Sequence, residues 1–266
     1  MSPAGTPVLF VHGLWLHAQS WEPWIDRFRQ AGYEPSAPRW PGEALTVEEA
    51  RQTPEAVAGY GIDDVVDHYA AAVRGLSEKP IVVGHSFGGL IAQRLLAEGH
   101  ASAAVALDAA PIKGVIWLPL SALRVASIAL RNPANRKRAV SLTPEQFRYG
   151  FGNAVPPEES QQLYDRWAIP SPAKPLFEAS VGNFKPGSPA KVDTKVSDRG
   201  PLLLTAGGRD HTVPATISKQ TQRLYRKSPA VTELKEFPDR GHSLGIDSGW
   251  EEVADYVLEW LERQKL

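Results

Sequence analysis

Short apolar runs alternate along this chain with longer stretches whose apolar residues recur every three or four positions. Val8-Leu9-Phe10-Val11 is a β-branched and aromatic run that stops just before Gly13, and Ile81-Val82-Val83 ends at Gly84. Val105-Ala106-Leu107 and Leu202-Leu203-Leu204 repeat the pattern, and Val231 to Phe237 is a fifth candidate strand. Ile62, Val65, Val66, Tyr69, Val73 and Leu76 share one helical face, as do Trp250, Val253, Val257, Trp260 and Leu261. Leu90 to Ala97 makes a third helix directly after a strand. Strands that are apolar throughout, alternating with amphipathic helices, predict an α/β fold whose mostly parallel sheet is covered on both faces.

One region breaks the alternation. From Pro111 to Asp193 no strand-like repeat occurs; an apolar helical stretch, Val115 to Leu130, is followed by a proline-rich part with Pro156, Pro157, Pro170, Pro172, Pro175, Pro186 and Pro189. So long a segment is too much for a loop in a compact domain. The pattern predicts a core of residues 1–110 and 194–266 and a mostly helical insertion, 111–193, packed on it. Pro35 to Gly59, with four prolines, is a second long connection.

Composition narrows the classes. Of 266 residues, 42% are hydrophobic and 22 are glycine, normal for a globular chain. The formal charge is −1, so no global field recruits nucleic acid or anionic lipid, and the basic run Arg131 to Arg138 is short and lacks aromatics. No cysteine occurs, which excludes disulfides, thiolate zinc sites and cysteine nucleophiles. The start, Met1 to Pro7, has no basic region, and Val8 to Val11 is too short for a signal peptide. No stretch is apolar enough to span a membrane. The expectation is a cytoplasmic protein without membrane or nucleic-acid partners.

The chemistry concentrates at strand ends. Gly84-His85-Ser86-Phe87-Gly88 follows a strand and opens a helix. Such a turn forces the serine out at the carboxyl edge of the sheet, demands small neighbours, and leaves the Phe87 N–H free at a helix N-terminus. A serine hydroxyl needs a base. His242, in Asp239-Arg240-Gly241-His242-Ser243, lies after the last strand candidate and opens on the same edge; His68 and His100 read as surface residues. The imidazole needs an acceptor on its other nitrogen. Asp210, just past the Leu202 strand in Gly207-Gly208-Arg209-Asp210, is the favoured acid, with Asp108 at the end of the Val105 strand as its rival. Asp239 is closer in sequence but on the wrong approach, and Asp63, Asp64 and Asp67 read as helix-start charges. His12-Gly13-Leu14-Trp15 follows the first strand; if this turn lies beside the serine, the N–H of Leu14, or alternatively of Trp15, completes an oxyanion hole with that of Phe87. His12 reads as a packing residue under the turn, and His85 as a spacer.

Taken together, the chain resembles the α/β-hydrolase family, of the serine, esterase-like type with a helical cap, over almost its whole length. His12-Gly13 resembles the family's oxyanion turn, Gly84 to Gly88 its nucleophile elbow, Gly208-Arg209-Asp210 its acid turn and Gly241-His242 its histidine loop, in the family's order. The resemblance implies a cap at 111–193 over the active site. One departure is that the usual leading hairpin is missing, which implies a sheet of about six strands.

The resemblance also bears on the reaction. A serine nucleophile argues against the dehalogenases and epoxide hydrolases of the family, which need a carboxylate. Ser243 stands where the hydroxynitrile lyases carry a lysine. What remains is hydrolysis of a small to medium hydrophobic carboxylic ester through an acyl-enzyme, with no cofactor and no metal. A lactonase or C–C bond hydrolase with the same triad, or a slow-turnover ligand receptor on the same scaffold, are the alternatives. Trp15 and Trp117 are candidate pocket walls, and the apolar residues of 115–130 serve either to line a pocket or to bury the insertion on the core.

Overall fold

The computed structural model describes residues 5–266; the first four residues, where the reading of the N-terminus partly falls, lie outside the described residues. The strands run β1 (Pro7–Val11), β2 (Glu34–Ser36), β3 (Ile81–His85), β4 (Ala103–Leu107), β5 (Ala139–Val140), β6 (Ser171–Pro172), β7 (Leu202–Gly207) and β8 (Thr232–Phe237). Six of them form one sheet in the order β2-β1-β3-β4-β7-β8, with every neighbouring pair parallel. Consequently the carboxyl ends of β1, β3, β4 and β7 all open on one edge. β1, β3, β4 and β7 are buried along their whole length, which is why they read as continuous apolar runs.

Helices cover both faces. On one lie α1 (Glu22–Gln30) and, at the far end of the chain, a helix at Trp250–Arg263; Trp21, Trp24 and Phe28 pack there with Phe10, Val83, Val105, Val257 and Trp260. On the other lie α2 (Val47–Gln52), α3 (Ile62–Arg74) and α4 (Phe87–Ala97), with Val65, Tyr69, Leu90 and Ile91 against Leu9, Val82 and Ala104. The segment 111–193 carries α5 (Leu120–Leu130), α6 (Pro144–Gly150), α7 (Pro157–Trp167) and α8 (Lys174–Ser180). It is followed by α9 (Ala215–Leu224), and the terminal helix is α10.

Several elements differ from the sequence pattern. β2 was invisible because Glu-Pro-Ser is polar and contains a proline; it survives because it is an edge strand pairing only with β1. The apolar stretch from Val115 becomes helical only at Leu120, since Pro119, at φ −59° and ψ 153°, forbids a preceding helical turn. The insertion also contains strands after all: β5 and β6 pair antiparallel over two residues each. Two-residue strands leave no periodicity to read. α3 stops at Arg74, leaving Leu76 outside it. No described helix is long and apolar enough to cross a membrane.

Trp24 is fully buried, with Trp21 at 5.3 Å, Phe28 at 5.9 Å and Phe10 at 6.0 Å between ring centroids. Its indole N–H donates to the Gly245 carbonyl at 2.8 Å, tying this cluster to the loop before α10. Trp24→Ala is expected to cost about 3–5 kcal/mol, read as a shift in the urea unfolding midpoint. A loss below 1 kcal/mol would show that the cluster is not a rigid part of the core.

Candidate active site

Ser86 sits between β3 and α4 at φ 55° and ψ −120°, a left-handed conformation that a non-glycine residue adopts only when its surroundings force it. The forcing is visible. The Ser86 N–H donates to the Leu107 carbonyl at 2.9 Å, and its own carbonyl accepts from Gly89, Leu90 and Ala110. A side chain on Gly84 would collide with the Gly88 carbonyl, and one on Gly88 with the Val11 carbonyl. These glycines let β3, α4 and β1 crowd together around the serine. The Phe87 N–H, at the start of α4, donates to none of the turn carbonyls.

His242 and Asp210 come together. The ring Nδ1–H donates to Asp210 Oδ2 at 2.6 Å, with both side chains fully buried. The other Asp210 oxygen accepts from the N–H groups of Thr212 at 2.6 Å and Val213 at 2.8 Å, so its capping bonds and its histidine bond coexist. Burial pushes the Asp210 carboxyl up to about 7 against those donors, and pulls the His242 ring down to about 4. His242 Nε2 is buried and has no hydrogen-bond partner. In this arrangement the Ser86 hydroxyl is therefore not bonded to the ring, although the next residue, His85, packs its ring 4.6 Å from that of His242. His85 is more than a spacer: its Nε2–H donates to the His242 carbonyl at 2.9 Å. Burial holds the His85 ring well below its usual range, so it is neutral.

The rival acid is also present. Asp108 follows β4 at φ 42°, fully buried, and its carboxyl accepts from Thr205 Oγ1 at 3.1 Å and from the Gly207 N–H at 3.1 Å. Its carboxyl comes within 4.8 Å of that of Asp210, and burial, then the Asp210 charge, hold it well above the usual carboxylate range. Asp108, Asp210 and His242 place donor atoms within 4.8 Å of one another, the one cluster among the described residues able in number to hold a cation. The Asp210 oxygens are already taken by His242, Thr212 and Val213, and those of Asp108 by Thr205 and Gly207. Asp239, by contrast, is exposed and pairs with Arg209 at 2.9 Å.

The turn after β1 abuts the serine: a methyl group on Gly13 would come within 2.7 Å of Ser86 Cβ. The Trp15 N–H is occupied, donating to Ser171 Oγ at 2.6 Å, whereas the Leu14 N–H donates to none of the turn carbonyls. Trp15 itself is at φ 66°, buried, with its indole N–H on the Val140 carbonyl at 3.0 Å and its ring edge-on to Phe151 at 6.3 Å. Phe151 in turn stands 4.8 Å from the His242 ring. Trp117 is not brought there; it is 58% exposed and hydrogen-bonded through its backbone to Gln220 on α9. Glu43, unremarked in the sequence, braces the turn. Its buried carboxylate lies 2.8 Å from His12 Nε2 and 3.3 Å from His17 Nε2 and accepts the Ala18 N–H at 3.0 Å. Nothing in sequence flags it, since it lies inside the long connection after β2. Ser243, in the lyase-lysine position, is buried and donates to Asp247 at 2.9 Å, a loop-bracing role.

The sequence model of the alpha/beta hydrolase family matches residues 8–256. No curated protein sequence matches the chain. Among solved structures, the chain is similar to a monoacylglycerol lipase of Paleococcus ferrophilus, with 22% identity and a TM-score of 0.70 over 99% of this chain and 96% of that one. It is also similar to a thermophilic esterase from Thermogutta terrifontis, with 18% identity and a TM-score of 0.69 over 100% and 92% of the two chains. A methylesterase from Arabidopsis aligns at 19% identity and a TM-score of 0.66 over 97% and 99%. The six-stranded parallel sheet, the strained serine after β3 and the family match agree: this chain belongs to the alpha/beta hydrolase family.

Proposed function

We propose that the protein is a serine hydrolase of carboxylic esters, with Ser86 as nucleophile, His242 as base and Asp210 as the acid that orients it. The observation that carries this reading is the state of the His242 ring. One nitrogen is fixed on Asp210 at 2.6 Å, and the other is buried, unpaired and beside the serine's neighbour. A buried polar nitrogen without a partner is costly, and a substrate-bound serine hydroxyl would supply one. The esterases and lipase named above share the fold.

In the reaction, Ser86 Oγ attacks the ester carbonyl carbon while its proton passes to His242 Nε2. The carbonyl oxygen becomes an oxyanion facing the N–H groups of Leu14 and Phe87, two fixed donors that supply several kcal/mol of transition-state stabilisation. Collapse breaks the ester C–O bond, and His242 returns its proton to the leaving alcohol. Water, deprotonated by the same nitrogen, then releases the acid. The segment 111–193 serves as a cap, and Trp15 and Phe151 give the site apolar walls suited to a small to medium hydrophobic group. Trp117, exposed as it stands, reaches substrate only at the cap's outer surface.

Ser86→Ala is expected to lower kcat on p-nitrophenyl esters by about 10⁴-fold or more, with His242→Ala nearly as severe. A fluorophosphonate should add once, at Ser86. Retained turnover or labelling elsewhere refutes the assignment; turnover of lactones or vinylogous diketones but not esters transfers it to those substrates. With Asp210 raised to about 7 and His242 lowered to about 4, the pair takes its first proton near 7. That proton blocks the base, so kcat/KM is expected to be full above this pH and to fall below it. A profile flat down to pH 5 would contradict it. Glu43→Ala removes a buried carboxylate shared by His12, His17 and the Ala18 N–H, and is expected to cost about 1–3 kcal/mol in urea unfolding and to lower kcat more than it raises KM.

A further inference from the structure

Two aspartates, from the ends of two neighbouring strands, meet at one histidine. Resting on the triad reading above, we propose that Asp108 is a positioning residue: as a neutral carboxylic acid it donates a hydrogen bond to Asp210 and holds that carboxylate in place for His242.

Geometry decides which of the two is neutral. The two buried carboxyl groups approach within 4.8 Å. Ionised carboxylates are acceptors only, so a hydrogen bond between them requires one proton, and two bare charges so close without water would repel. Asp210 accepts three N–H donors, from His242 at 2.6 Å, Thr212 at 2.6 Å and Val213 at 2.8 Å. Asp108 accepts only the Thr205 hydroxyl and the Gly207 N–H, both at 3.1 Å. More and shorter donors stabilise the charge on Asp210, leaving the proton with Asp108. The upward displacement of Asp108 by burial agrees.

A second observation ties Asp108 to the serine. The strained turn that holds it brackets the Ser86 backbone: the Leu107 carbonyl accepts the Ser86 N–H, and the Ala110 N–H donates to the Ser86 carbonyl, each at 2.9 Å. Left-handed conformations outside glycine persist where surroundings over-determine them, and Asp108 at φ 42° is one. Its side chain bonds the acid while its backbone neighbours bond the nucleophile. The titratable groups facing it are Asp210 and His242, with His85 beyond them and His12 next after that. His85 acts on this network through His242, and His12 through His85.

Carbon-13 carboxyl spectra of the full-length protein test the proton directly. The signal that vanishes in Asp108→Asn should keep the shift of a neutral acid up to pH 8; an ionised shift at pH 7 overturns the proposal. Nitrogen-15 spectra of the histidines, with His242 assigned through His242→Gln, test the coupling. Asp108→Asn, whose amide still donates to Asp210, should leave the His242 midpoint within about 0.3 pH units. Asp108→Ala, which removes the donor and leaves Asp210 more basic, should raise it by about half a unit or more. A fall of a unit in Asp108→Asn means a negative charge was lost, and an unmoved midpoint in Asp108→Ala means no coupling; either sinks the idea. If Asp108→Ala does not fold, the carboxyl spectra still decide. In turnover, Asp108→Ala should lower kcat about tenfold with KM little changed, and Asp108→Asn should recover most of that loss. A wild-type protein inactive on esters, lactones and vinylogous diketones alike would refute the triad reading while leaving both spectra to judge Asp108.

Discussion

The 2.6 Å hydrogen bond between His242 and Asp210 lies where water cannot reach either side chain. Neither partner can borrow a hydrogen bond from solvent, so every remaining polar atom around them must be matched by protein or be left at a cost of about 1–3 kcal/mol. The neighbourhood reflects that constraint. Thr212 and Val213 donate to Asp210, Asp108 lies within 4.8 Å of it from the β4 side, and His85 donates to the His242 carbonyl. Phe151 closes over the ring. His242 Nε2 is left without a hydrogen-bond partner, and it is the nitrogen that the proposed base must keep free.

That neighbourhood exists because the sheet is parallel. β3, β4 and β7 deliver Ser86, Asp108 and the Asp210 turn to the same edge, and the loop after β8 brings His242 across them. Trp15, Ser86 and Asp108 all take left-handed conformations just beyond strand ends, each at a cost of order 1–3 kcal/mol. Strands buried along their entire length supply the stability that offsets this strain. The core is rigid so that its rim can be strained.

The sequence carries the sheet and the serine turn plainly, because buried parallel strands are apolar throughout and the elbow's glycines are forced by close approach. Its silence elsewhere has physical causes. β2 is polar and proline-bearing, which only an edge position tolerates, and β5 and β6 are too short to show a period. The sequence favours Asp210 over Asp108 without closing the choice, since both follow a strand at the same edge; which carboxylate faces Nδ1 is a matter of loop path. Glu43 and Phe151 come from the connection after β2 and the residue after α6, far in sequence from anything they touch. Trp117 is the converse: an apolar residue in an apolar stretch, yet exposed because Pro119 keeps that stretch out of the helix.

The turn after β1 shows how two remote parts of the chain shape one backbone feature. From below, Glu43 grips His12 and His17, the residues flanking Gly13 to Leu16. From above, the 111–193 segment takes the Trp15 N–H on Ser171, the Trp15 carbonyl on the Ile169 N–H and the indole on Val140, while the His17 N–H donates to Trp167. Trp15 is thereby saturated, which removes its amide as an anion donor and leaves that of Leu14 for the proposed oxyanion role. Any displacement of the segment would release Trp15 and loosen the upper grip, yet the Glu43 bonds would remain. The lower grip does not depend on that segment, and a carboxylate buried between two histidines, otherwise an expensive feature, has its explanation in holding the turn.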